Sequence, residues 1–201
     1  MYLIFSIVFY LFIIYSVVYQ ILSFTMLSKY RKIKLDNKIS GLQVAQSLLK
    51  NNNISIYVVK TEKRSHYDPK RNVIRLDNDD YNNNSLGAVI NSIYLALNAI
   101  NINNYKNRFM FILAGYGYTI SSAACLLGLI FRDINVMAIG LVFMIIIFIF
   151  KYQQSSKEVD IYNNSIEKIK KEYKLKDKDI EIINKKAKLL INNELSINIF
   201  K

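Results

Sequence analysis

Three stretches of the chain carry no charge, and they set its organisation. Met1 to Ser28 is the first. At about 1.5 Å per residue it is long enough, as a helix, to cross a hydrocarbon layer of roughly 30 Å. It has no basic leader, and no small-x-small cleavage pattern follows it, so it reads as an uncleaved anchor. Phe109 to Phe131 is the second stretch, bounded by Arg108 and Arg132. Ile134 to Phe150 is the third, near the lower length limit for a span. Arg132-Asp133 reads as a tight polar turn, so the second and third stretches form a hairpin. Gly117, Ser121, Ala124 and Gly128 line one helical face with small side chains, which lets the hairpin helices pack closely.

Shorter patterns fill the rest. Ser40 with Gln43 three residues later is a capping box. Val44, Ala45, Leu48 and Leu49 give that helix its apolar stripe, and Asn51-Asn52-Asn53 ends it. Ile54 to Val59 and Val73 to Leu76 are β-branched enough to predict two strands. Between them His66-Tyr67-Asp68-Pro69 reads as a turn, because the proline ring fixes φ and the Asp side chain can bond its own backbone. Asp77 to Asn84 reads as a polar loop. Ser85 to Asn101 reads as an amphipathic helix, with Ser85 as N-cap and Leu86, Val89, Ile90, Ile93, Leu97 and Ile100 on one face.

Beyond the third stretch, Val159, Tyr162, Ile166, Ile169 and Tyr173 keep helical spacing, and Ile180, Ile183, Ala187 and Leu190 predict a second tail helix. The end, INNELSINIF, is too short and polar for a fourth span. The expectation is an α-helical membrane protein: three transmembrane helices, a small cytosolic α+β domain and a helical C-terminal tail. The divisions are 1–28 (anchor), 29–108 (cytosolic helix–strand–strand–helix domain), 109–150 (hairpin) and 151–201 (tail).

Charge adds an orientation. Of 27 Lys and Arg residues, 26 fall within 29–108 and 151–201. The positive-inside rule then puts the N-terminus outside and both charged regions in the cytoplasm of a multi-pass cell-membrane protein. The net charge of +12 thus has a topological cause. No zinc-finger, RNP-like or Gly-rich phosphate motif accompanies it, so nucleic acid is not an expected partner. Lys29, Arg31, Lys32 and Lys34 directly follow the first span, as an orientation signal and a candidate contact for anionic lipid of the bilayer. The single histidine, His66, and the single cysteine, Cys125, exclude a His/Cys metal site and any internal disulfide.

The helix Ser85–Asn101 poses the functional question. Tyr94 and Asn98 stand one turn apart, the spacing of the two histidines in H-E-x-x-H, where a glutamate follows the first. Here the pentad is Tyr94-Leu95-Ala96-Leu97-Asn98. None of these side chains binds zinc well or serves as a general base near neutral pH.

The order of elements resembles the membrane-embedded neutral zinc metallopeptidases of bacteria. GLQVAQSLLKNNNISIYVV resembles that family's G-x-x-A-A-x-x-[IL]-L-x-x-N-G-[IL]-x-x-V-x-V stretch. SHYDPKRNVIRLDNDDYNNNS resembles its D-H-Y-D-P-x-x-x-x-[IV]-x-L-S-x-x-[VI]-Y-x-x-x-S stretch, with Ser65 in place of the leading Asp. KEVDIYNNS resembles V-E-F-[DN]-A-S, with Ile161 and Tyr162 in place of Ala-Ser. The resemblance implies a zinc peptidase fold in which Tyr94 and Asn98 occupy the histidine ligand positions, Leu95 the base position and Glu158 the third ligand position. It also implies that His66, Tyr67, Asp68 and Pro69 turn beside the former site.

With those substitutions no metal, cofactor or catalytic residue is expected. The expected role is a pseudopeptidase that binds or scaffolds an unidentified protein partner. The alternative is a divergent membrane-bound zinc metallopeptidase that still hydrolyses peptides, drawing on His66, Asp68, Glu158 and loop aspartates. Glu158 itself has two readings, a leftover ligand and a solvated helix carboxylate, and the second is the expectation.

Overall fold

A computed structural model describes residues 2–103 and 105–193. The final residues of INNELSINIF, from 194 on, lie outside them. In chain order the elements are α1 (Tyr2–Arg31), α2 (Gly41–Asn51), β1 (Tyr57–Lys60), β2 (His66–Asp68), β3 (Val73–Leu76), α3 (Asn78–Tyr81), α4 (Leu86–Asn101), α5 (Tyr105–Ile130), α6 (Ile134–Tyr173) and α7 (Asp177–Asn193). Three of these, α1, α5 and α6, hold stretches long and apolar enough to cross a membrane.

The apolar helices pack around small residues. A Cβ on Gly128 would lie 2.6 Å from the Met137 backbone nitrogen, and one on Gly140 2.7 Å from Cys125 Sγ. The α5–α6 backbones can therefore come this close only where no side chain intervenes. Phe9 of α1 joins Tyr118, Cys125, Met137, Leu141 and Met144 in the hairpin's own core. Tyr2 Oη donates to the Leu129 carbonyl at 2.8 Å, tying the start of α1 to the end of α5. At the tip Arg132 adopts a left-handed φ of 55°, and the Asp133 carboxylate caps α6 by accepting from Asn135 and Val136 N–H.

The second core gathers residues from both charged regions. Leu35, Val44, Leu48, Ile74, Leu86, Ile90 and Leu97 pack with Tyr162, Ile166, Ile169, Ile183 and Leu190. Helix α6 runs unbroken from the hairpin into this core. No proline interrupts 134–173, so nothing stops the helix where charge first appears at Lys151.

Two local expectations are corrected. His66–Asp68 is a strand, not a turn: β2 pairs antiparallel with β3, Tyr67 opposite Ile74, while β1 pairs parallel with β3 on its other edge. The Tyr67 ring is buried, and that burial holds the short strand in register. The turn follows it, where Asp68 Oδ1 accepts from the N–H groups of Lys70 and Arg71. The polar loop Asp77–Asn84 contains the short helix α3, capped by the Asp77 side chain on Asp80 N–H at 2.8 Å. The capping box of α2 is present as expected, with Ser40 and Gln43 bonding reciprocally.

Candidate functional site

Helix α4 is the axis of the site. Ser85 Oγ accepts from Ala88 N–H at 3.2 Å and starts it. The expected amphipathic helix is in fact buried on nearly all sides. From Leu86 to Ala99 only Tyr94 is more than slightly exposed. It lies against α1, α2, the sheet, α6 and α7. Such a helix needs close neighbours. A Cβ on Gly41 would fall 2.3 Å from Ser92 Oγ, and one on Gly87 2.6 Å from Arg31 N.

Tyr94, Asn98 and Asn101 lie at i, i+4 and i+7, on one face. Asn101 Nδ2 donates to Glu158 Oε1 and to the Gln154 carbonyl of α6, both at 3.1 Å. The face that carries Tyr94 and Asn98 is thus turned toward the helix that carries Glu158. Glu158 is 2 % exposed, so the expectation of a solvated carboxylate is corrected: packing of α6 on α4 has closed water off from it. Lys151 and Ser155, at seven and three residues before it, are 4 % and 5 % exposed and share its helix face. The Lys151 Nζ stands 4.8 Å from the centroid of the Tyr118 ring. Leu95 is buried in the apolar core beside Ala96 and Leu97.

The other candidates sit elsewhere. His66 Nδ1 lies 2.9 Å from the Arg64 carbonyl, at the open side of β2. Tyr67 Oη donates to Asn72 Oδ1 at 2.6 Å, and burial pushes its pKa up to about 12. Asp68 serves its own turn and faces Arg75 Nε at 3.7 Å. Pro69 opens the turn between β2 and β3. Of the four cations after the first stretch, Lys29, Lys32 and Lys34 are exposed. Arg31 is half-buried and bonds Asp77 and Asp80, each at 3.0 Å.

Sequence reasoning did not reach that last group. Asp80 is fully buried and accepts from Arg31, from Ser65 Oγ and from Asn91 Nδ2 at 2.6 Å, while Ser65 Oγ also accepts from Asp77 N–H. Burial pushes the Asp80 carboxyl up, and Ser65, Arg31 and Asn91 pull against it. Its members come from α1, the β1–β2 loop, α3 and α4, so no local spacing marks them. Asn101 and Lys151 were legible in principle. Asn101 continues the face of Tyr94 and Asn98, and Lys151 falls two turns before Glu158 on α6.

The structure thus combines three helices long and apolar enough to cross a membrane, a small three-stranded sheet, and a central helix joined through Asn101 to the buried Glu158 carboxylate. A family model described as "Putative neutral zinc metallopeptidase" matches residues 3–188, and the chain belongs to that family. Searches of curated proteins and of solved structures returned no match.

The residues present do not fit a zinc ion. A catalytic zinc takes three protein ligands, usually imidazole, thiolate or carboxylate, plus water. The positions that the resemblance marks offer a phenol, an amide and one carboxylate. Among the described residues no three His, Cys, Asp or Glu side chains come together.

Proposed function

We propose that this member of the zinc metallopeptidase family is a non-hydrolysing membrane protein that holds a protein partner. The observation that carries the reading is the turn Tyr94–Asn98. Its aliphatic Leu95 is packed in the core, and its polar side chains face an α6 surface joined to α4 through Asn101 and Glu158. In this reading Glu158 has passed from holding a metal to pinning two helices, and the peptidase fold persists as a docking frame. The chain crosses the membrane three times with its N-terminus outside, and 29–108 and 151–201 lie in the cytoplasm. The charge distribution supports that placement. Lys29, Lys32 and Lys34 act there as the stop and orientation signal.

The reading is tested with full-length protein purified in detergent, incubated with casein and with a membrane-protein substrate across zinc, cobalt and manganese loadings. No cleavage at any loading is expected. Chelator-sensitive cleavage that disappears in Glu158→Gln would overturn it. Family membership favours that second reading, a divergent peptidase, and the same assay reports on it.

A further inference from the structure

Two loops of the sheet bring cations against the apolar helices. Lys63 and Arg64 lie in the β1–β2 loop, Lys70 and Arg71 in the β2–β3 turn, and all four are exposed. The Arg64 guanidinium carbon is 5.6 Å from the centroid of the Phe24 ring on α1. Lys70 Nζ donates to Tyr116 Oη on α5 at 3.0 Å and stands 5.5 Å from that ring's centroid. Both rings face outward from the apolar helices, Phe24 at 61 % and Tyr116 at 55 % exposure.

The level of these contacts follows from the helix register. Gly117 lies against Ile147, with an added Cβ only 2.7 Å from its Cδ1. Tyr116 is therefore level with the last turn of the uncharged part of α6, about one turn from Lys151. Phe24 is seven residues before Arg31, about 10 Å along α1. Both loops thus meet the helices near where the apolar stretches give way to charge. That is the depth at which aromatic rings and long cationic side chains sit in a bilayer.

Local acids weaken one loop more than the other. Glu62, Asp77 and Asp79 share a shallow dent with Lys63 and Arg64. In the β2–β3 turn the one acid, Asp68, is occupied by its own turn N–H groups and Arg75. The turn therefore carries the larger uncompensated positive charge.

We propose that Lys63, Arg64, Lys70 and Arg71 dock the sheet onto anionic phospholipid headgroups of the bilayer that the three helices cross. The proposal rests on the membrane reading above, which is checked first: the wild-type chain must stay with membranes after alkaline carbonate washing, and its release without detergent would overturn that reading. The docking itself is read in nanodiscs of phosphatidylcholine alone or with phosphatidylglycerol. Spin-labelled phosphatidylglycerol should be held at the protein boundary several-fold more than spin-labelled phosphatidylcholine, with the preference shrinking as salt rises.

The preference should fall to about one in the Lys63/Arg64/Lys70/Arg71→Gln variant and persist when Lys29, Lys32 and Lys34 are replaced by Gln. In the wild type, a water-soluble acylating reagent should modify Lys70 more slowly in phosphatidylglycerol nanodiscs than in phosphatidylcholine ones, with the exposed Lys38 as reference. An undiminished preference in the four-residue variant would overturn the proposal. So would equal Lys70 labelling in both lipids, or a preference lost only with Lys29, Lys32 and Lys34.

Discussion

Two buried carboxylates flank α4, and they live differently. Asp80, beside the first half of the helix, receives a guanidinium, a hydroxyl and a side-chain amide, and links the end of α1 to the sheet loop and to α4. Glu158, beside the second half, meets the Asn101 amide and joins α6 to α4. The first is a structural knot made from residues scattered between 31 and 91. The second lies on α6 where the resemblance puts a metal ligand, and the α4 positions that complete that set, Tyr94 and Asn98, are poor ligands. Burial alone therefore does not mark a functional carboxylate. What separates the two is place: Asp80 sits at the junction of α1, α3 and α4, and Glu158 at the position that the resemblance marks.

Matched neutralisations break or sharpen that contrast. Asp80→Asn should have the largest effect, a loss of about 3 kcal/mol by thermal unfolding in detergent. This is the low end of the range for unpairing a buried charge, since Asp77 still holds Arg31. Next comes Gly128→Val in the hairpin. The Met137 backbone lies where the new side chain must go, and overpacking should cost about 1–3 kcal/mol by the same measurement. Glu158→Gln keeps an acceptor for Asn101 and should cost about 1 kcal/mol. A loss as large as that of Asp80→Asn would make the two carboxylates equivalent and erase the distinction.

The smallest effect belongs to an exposed pair. Lys176 bonds Asp36 and holds its carboxyl below the usual range. A lowered folded value contributes stability above the ordinary aspartate pKa of 3.8 and loses it as pH falls. Lys176→Met should return the Asp36 titration to its ordinary position by NMR, with little change in unfolding at neutral pH.

Much of the fold was legible because long-range physics was not needed to read it. The three uncharged stretches, the Ser40–Gln43 box, the Ser85 cap and the tail stripe at Tyr162, Ile166 and Ile169 each follow from local spacing. Strand β2 was missed because three residues give no alternation to read, and only Tyr67 finding the core identifies them. The burial of Glu158 was missed for a related reason. Lys157 and Asp160 beside it are charged, and only the docking of α6 on α4 excludes water. The pentad Tyr94–Asn98 is the most informative stretch of the chain, since its chemistry depends on residue type more than on packing.

The absence of a zinc-binding turn is the claim on which the proposed function stands. Its most direct test is the metal content of wild-type protein, purified in detergent without chelator and measured by inductively coupled plasma mass spectrometry. The account predicts far less than one zinc per chain, unchanged by Glu158→Gln. One zinc per chain, lost in that variant, would contradict it.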